Sequence, residues 1–168
     1  ENRRSMKERI MNIIFNMVGK YANIGHSITI EYDLNVHHNY ARLESHFGEN
    51  VWVHRKGAIS AQAGEVGIIP GSQGTASYIV TGLGNAESFM SSSHGSGRKM
   101  GRNQAKKTLN LEEEKKKLDD KGIIHAIRSE DDLDEAPGSY KDIDVVMEEQ
   151  KDLVKIRLKR EPIAVVKG

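Results

Sequence analysis

Apolar residues return at helical spacing at Ile10, Ile14, Met17 and Val18, which predicts an amphipathic helix over 4–20, ended near Asn23 and Gly25, with Met11, Phe15 and Met17 as core candidates. Alternation then takes over. Ile28, Ile30 and Tyr32 alternate with polar residues as in a half-buried strand that delivers the chain to His37-His38-Asn39-Tyr40. Val51 to Val53, Val66 to Ile69 and Ser77 to Val80 read as further short strands, and the glycine-rich turns between them leave much of 54–98 as loop. Helical spacing comes back over Lys99 to Lys107 and over Leu111 to Lys121. In the second, Asn110 with Glu113 resembles a capping box, Gly122 closes the helix, and the charges read as a solvated face. The acidic run 129–138, ending in Pro137-Gly138, predicts a surface loop, and Ser139 to Lys151 a helix with Ile143, Val146 and Met147 inward. Val154, Ile156 and Leu158, then Ile163 to Val166 after a turn at Glu161-Pro162, predict a closing pair of strands. The sum is an α+β unit with a mixed or antiparallel sheet and two or three flanking helices.

Composition narrows the picture only a little. The chain has 168 residues, 37% hydrophobic and 29% charged, enough for one ordinary domain or part of one. Its 25 basic and 24 acidic residues leave a net charge of +1, so any nucleic-acid contact must come from local patches rather than a global field. There is no cysteine, which removes disulfides and thiolate metal ligands and fits a reducing compartment. No stretch reads as a membrane span or signal peptide, and the chain reads as soluble and cytoplasmic. It opens on Glu1 and enters a helical pattern at once, as a piece of a larger protein would.

The densest chemistry lies in Ser91-Ser92-Ser93-His94-Gly95-Ser96-Gly97-Arg98, which sets one histidine among hydroxyl and backbone donors beside an arginine. Glycines at 95 and 97 let the main chain approach a phosphate closely, and a neutral imidazole nitrogen could attack phosphorus. A flexible serine and glycine linker explains the same composition. Adjacent serine and histidine rarely align as nucleophile and base, and no G-x-S-x-G elbow is present. His37 and His38 are neighbours and point opposite ways on extended chain, so only one can face a given site; hydrogen-bonded strand-end histidines are the equal alternative to a metal ligand. His54-Arg55-Lys56-Gly57-Ala58 offers basic side chains to phosphate, and Pro70-Gly71-Ser72-Gln73-Gly74 offers N–H groups and hydroxyls to a nucleotide, though turn chemistry explains the latter as well. No P-loop occurs, and Gly82-Leu83-Gly84 lacks the third glycine of a dinucleotide fingerprint.

In order along the chain, His38-Asn39-Tyr40-Ala41, Arg55-Lys56-Gly57-Ala58, Pro70-Gly71-Ser72-Gln73-Gly74, Ser93-His94-Gly95-Ser96-Gly97-Arg98, Tyr140-Lys141-Asp142-Ile143-Asp144 and Lys167-Gly168 resemble the RtcB family of RNA-splicing ligases. The resemblance implies a GTP- and manganese-dependent ligase that joins an RNA 3'-phosphate or 2',3'-cyclic phosphate to a 5'-hydroxyl through a GMP-histidine intermediate. On that reading His94 is the nucleophile and His38 a metal ligand. Asn39, Pro70, Gly71, Ser72, Gln73, Ser77, Gly95, Ser96, Gly97, Tyr140 and Lys167 fall at nucleotide-contacting positions. Arg55, Lys56 and Arg98 are candidates for the RNA phosphates from charge and loop position. Gln73 and Ser96 stand where other members carry methionine and alanine. The family's Asp-x-x-Cys pair, two further metal histidines and an Asn-containing nucleotide motif are absent from this sequence, and His26, His37, His46 and His125 do not sit in those motifs. Residues 1–168 therefore read as the C-terminal, nucleophile- and GMP-binding portion of the catalytic domain, inactive in ligation without the upstream portion. Partners implied are RNA ends (tRNA halves or broken RNA), that upstream portion and an archease-type activator. A piece that binds guanine nucleotide or RNA without catalysis, or one with a purely structural role, is the alternative.

Overall fold

The structure, a computed structural model, describes residues 2–21, with side chains from 4 to 20, and residues 29–165. Asn23, Gly25, His26, Ile28 and the end of the last predicted strand, with Lys167, lie outside the described residues. The chain divides into two units, Glu1–Asp33 and Leu34–Gly168. The first holds helix α1 (Asn2–Tyr21), close to the predicted span, with an Arg4–Glu8 ion pair one turn apart. Its apolar stripe is not a core: Ile10 is 52% and Met17 55% exposed, and Phe15 is exposed too. The strand expected over 28–32 is absent from its described part, where Ile30 and Tyr32 are exposed and have no ladder. Alternation alone cannot make a strand without a neighbour to accept its hydrogen bonds.

In the second unit, β1 (Asn39–His46) and β2 (Glu49–Lys56) form an antiparallel hairpin with Leu43 opposite Trp52. Positive φ at Phe47 (53°) and Gly48 (83°) makes the tight turn, which carries no Asn-Gly or Asp-Gly signal and so hides β1 in the sequence, and His37-His38 lie just before a strand that starts at Asn39 rather than at the end of one. β3 (Ala58–Ser60) pairs with β6 (Ser91–Ser93), so the serine run is a strand edge and not a loop. β4 (Val66–Ile69), β5 (Ser77–Gly82) and β7 (Val154–Arg160) make a three-stranded antiparallel sheet. All named pairs are antiparallel; the second predicted closing strand is reduced to one parallel bridge between Ile124 and Ala164, with Ile163 exposed.

Helices α2 (Arg102–Thr108), α3 (Leu111–Asp119) and α4 (Ile143–Glu149) flank the sheets, the last two capped by the side chains of Asn110 and Asp142. α4 starts later than expected because Pro137-Gly138-Ser139 forms its own 3-10 turn and Asp142 caps. One core joins Ile59, Ile69, Tyr78, Val80, Ile143, Met147 and Val154; a second joins Leu118, Ile123, Ile127, Leu133 and Ala136. The acidic run is therefore not a surface loop. Over Glu130–Glu135 it is a 3-10 helix that turns Leu133 fully inward, leaves Glu130 and Asp131 exposed and half-buries Asp132, Asp134 and Glu135, held at its start by Ser129 and Asp132. Glu114 departs from the solvated-face reading too: it is 1% exposed, and its carboxylate accepts from the Gly138 N–H at 2.8 Å and from Lys117. Among the described residues no helix is long and apolar enough to cross a membrane.

Candidate nucleotide and RNA site

His94 follows β6 directly and is aimed by two anchors. Its Nδ1 lies 2.8 Å from the Gly57 carbonyl oxygen. A carbonyl only accepts, so Nδ1 is the donor here, and the tautomer that matches this bond has its lone pair on Nε2. The strand behind it is fixed by Gln150, 5% exposed, whose side-chain oxygen accepts from the Ser93 N–H and whose amide donates to Ser93 Oγ, both at 3.0 Å. Gly57 suits this turn because its φ of +71° is a conformation that side chains strain, although a Cβ there would make only ordinary contact with the His94 ring, at 3.5 Å. The Gly57 N–H in turn donates to the His38 carbonyl at 3.0 Å, and the His38 and His94 rings stack with centroids 5.2 Å apart and planes 15° from parallel. Asn39 is exposed beside His38 at the start of β1.

The two small-residue loops meet. The Ser96 N–H donates to the Pro70 carbonyl at 3.1 Å, and a Cβ on Gly95 would come within 3.0 Å of the same oxygen. Gly97 and Arg98 run antiparallel to Tyr140-Lys141, with the Lys141 N–H on the Gly97 carbonyl at 3.0 Å. A pocket of about 290 Å3 opens on the Pro70 loop, lined by Pro70, Gly71, Ser72, Gln73, Ser77 and Tyr140 with Glu135, Pro162 and Ala164; Asn39, Gly95, Ser96 and Gly97 are not among its lining residues. Six of the expected nucleotide contacts thus share one cavity, although their sequence positions span 70 to 140. Gln73 is buried and its amide is committed to the Glu135 carbonyl at 2.8 Å, so it shapes the wall. Ser96 Oγ is buried with no hydrogen-bond partner, an acceptor and donor held ready in the loop. Burial, and next the hydrogen bond to Glu135, push the Tyr140 hydroxyl up to about 12, so it stays a donor at any physiological pH.

Of the three basic candidates, only Lys56 is an open side chain. Arg55 is corrected: it is 2% exposed, doubly bonded to Glu44 at 2.5 and 3.0 Å, and also donates to Tyr40, Ser91 Oγ and the Phe89 carbonyl. Neighbours on a strand face opposite ways, so Lys56 outward places Arg55 inward. Arg98 is likewise engaged, with the Asp134 carbonyl, the Glu135 carboxylate and the face of Tyr140 at 4.9 Å. Its charge is met inside the protein. Gln150, Glu135 and the Gly57 carbonyl escaped the sequence reading; Gln150 reaches a partner 57 residues away, and no local pattern marks that.

Among the described residues no three His, Asp or Glu side chains are placed to hold a metal ion. His38 offers one exposed imidazole next to His94, which is one donor where a metal needs several, so the described residues alone do not make a metal site.

The nucleotide loop is closely packed at Gly71, where a Cβ would fall 2.3 Å from the Ala76 carbonyl and 2.4 Å from Thr75 Oγ1. Gly71→Ala is expected to cost about 1–3 kcal/mol in urea unfolding by forcing the loop open. Gly101→Ala is the contrast: nothing lies within 4 Å of that position, so only the preference for glycine at the N-cap of α2 is lost, and it should cost less than about 1 kcal/mol.

The family model described as tRNA-splicing ligase RtcB matches residues 1–168. The chain is 42% identical over 167 residues to the RNA-splicing ligase RtcB of Escherichia coli K12, covering 99% of this chain and 40% of that protein. It is 38% identical to the tRNA-splicing ligase RtcB of Nanoarchaeum equitans, over 84% of this chain and 34% of the relative. For the RNA-splicing ligase RtcB of Mycobacterium tuberculosis the figures are 35%, 86% and 38%. The chain spans about two-fifths of the length of these curated relatives. A family match along the whole of residues 1–168, with 42% identity to a curated relative over 99% of the chain, shows that the chain belongs to the RtcB family of tRNA-splicing ligases.

Proposed function

We propose that this chain is the C-terminal, nucleophile-bearing portion of a GTP-dependent RNA ligase. The observation that supports it most directly is the orientation of His94: with Nδ1 held on the Gly57 carbonyl, Nε2 is left for a nucleophile's role, and the loop that follows is bonded through Ser96 N–H to Pro70, which lines the pocket. In the proposed reaction Nε2 attacks the α-phosphorus of GTP. The bond to the β-phosphate oxygen breaks, pyrophosphate leaves and an N–P phosphoramidate forms. GMP then passes to the RNA 3'-phosphate, freeing His94, and the RNA 5'-hydroxyl attacks that phosphate, loses its proton and expels GMP. Pro70 to Ser72, Ser77 and Gly95 to Gly97 hold the nucleotide, and Tyr140, its hydroxyl donated to Glu135, forms part of the pocket wall. Asn39 and Lys167 join the nucleotide contacts on the strength of the family motifs. His38 would supply one imidazole to a manganese ion, with further ligands from the upstream portion, and such an ion would offset charge on the phosphoryl oxygens.

The test is incubation with α-labelled GTP and manganese, of this chain alone and with the upstream portion of a relative supplied separately. Acid-labile label on this chain that needs the upstream portion supports a divided ligase site. No label in any mixture, with or without an archease-type activator, leaves a nucleotide- or RNA-binding piece without catalysis.

A further inference from the structure

The hairpin β1–β2 has two unlike faces. Tyr40, Glu44, His46, Val51, Val53 and Arg55 turn toward the protein, half-buried or buried. The other face, four residues from each strand, is exposed throughout and carries no carboxylate, although the chain has 24 acidic residues. On it Trp52, 65% exposed, lies opposite Leu43, 53% exposed, and Trp52, His54 and Lys56 form one row along β2. That row ends at Lys56, one residue before the Gly57 carbonyl that aims His94.

We propose that this open face is a track for single-stranded RNA, with a base stacked on Trp52 and the backbone met by His54 and Lys56, so that the strand's end arrives at His94. This deepens the ligase reading and rests on it. An exposed indole beside hydrogen-bond donors and a cation is the pairing that binds single strands without reading sequence. Side chains two apart on a strand recur at roughly 6.8 Å, a repeat that an extended nucleic-acid backbone can follow. The absence of carboxylates removes the repulsion that a phosphate meets elsewhere on a nearly neutral surface. A protein partner would use Leu43 and Trp52 but has no need of the row's direction toward His94.

Trp52 is the single tryptophan, so its emission reports on the track alone. The chain is titrated with a fluorescein-labelled single-stranded 12-mer RNA ending in a 3'-phosphate, and with its duplex. Quenching of Trp52 by the single strand is expected, with weaker binding of the duplex. By anisotropy of the RNA label, Trp52→Ala should weaken binding about tenfold or more and Trp52→Phe less. Lys56→Ala should lower the slope of log affinity on log salt by about 0.7. RNA binding with unchanged Trp52 emission and an unaltered Trp52→Ala affinity overturns the track, as does no RNA binding by a chain whose His94 still takes label from GTP with the upstream portion. Concentration-dependent sedimentation with a blue-shifted Trp52 in the absence of RNA assigns the face to a second copy and also overturns it. Quenching by RNA in a chain that never takes GMP upholds the track and rejects the ligase reading.

Discussion

His94→Ala, mixed with GTP, manganese and the upstream portion, should lose covalent GMP by on the order of 10^6-fold, the scale seen when a covalent nucleophile is removed. The size follows from the proposed role: the ring whose Nδ1 is held on the Gly57 carbonyl is the group that would carry the covalent bond, and alanine has no atom to form it. The anchors behind it give a graded companion result. Gln150→Leu removes both hydrogen bonds to Ser93, leaves the nucleophile in place and lets the strand end wander. It should therefore slow labelling by about 10- to 100-fold, in line with the sensitivity of displacement geometry to small misplacements. Mass spectrometry of the labelled chain, locating the phosphoramidate, checks both. Label persisting on another residue in His94→Ala would reject the assignment.

The second large effect is on stability. Arg55→Met should cost about 3 kcal/mol, the low end for breaking a buried pair, because it takes the doubly bonded guanidinium from a Glu44 carboxylate that is 6% exposed and leaves it only Arg42 and His46. A loss of that size is a large part of the stability of an ordinary domain. It also frees Ser91 Oγ and the Phe89 carbonyl, at a bend where Phe89 and Met90 hold φ of 52° and 49°. The bend leads into β6 and so to His94, which makes Arg55 a positioning residue for the nucleophile although it was expected on RNA. Urea unfolding followed by circular dichroism measures the loss. The double variant Glu44→Leu with Arg55→Met should recover part of it, since no buried charge is then left alone.

The same pair sets an acid limit. Hydrogen bonding from Arg55 first, then from His46 and Arg42, holds the Glu44 carboxyl at about 2 against its ordinary 4.5, with burial opposing. The native state thus favours the ionised form more than the unfolded chain does. Its contribution is complete above about pH 4.5 and is lost as the pH falls toward 2. Acid unfolding of Arg55→Met should show a weaker dependence through that window than the parent chain.

Local order in the chain was enough for the elements whose partners are close in sequence. Val66–Ile69 was read to the residue, α3 with its Asn110 cap nearly so, and the inward residues of α4 were read correctly at Ile143 and Met147. It was also enough for the chemistry that short loops carry, since glycine and serine around His94 and the Pro70 loop are local composition. What failed were segments whose state depends on a distant neighbour. Ser91-Ser92-Ser93 becomes strand only because β3 lies alongside, and the acidic run 130–135 turns Leu133 inward only because a second core waits there. The stripe of α1, conversely, carries the pattern of a core face and stays exposed. The division between Arg55 and Lys56 is the sharpest case. Sequence offered two adjacent cations of equal standing; the strand sends one inward to Glu44 and the other out along the open face. Residue type sets what a side chain can do, but burial and hydrogen bonding are properties of the assembled neighbours, and those decided which cation is structural and which nitrogen of His94 is free.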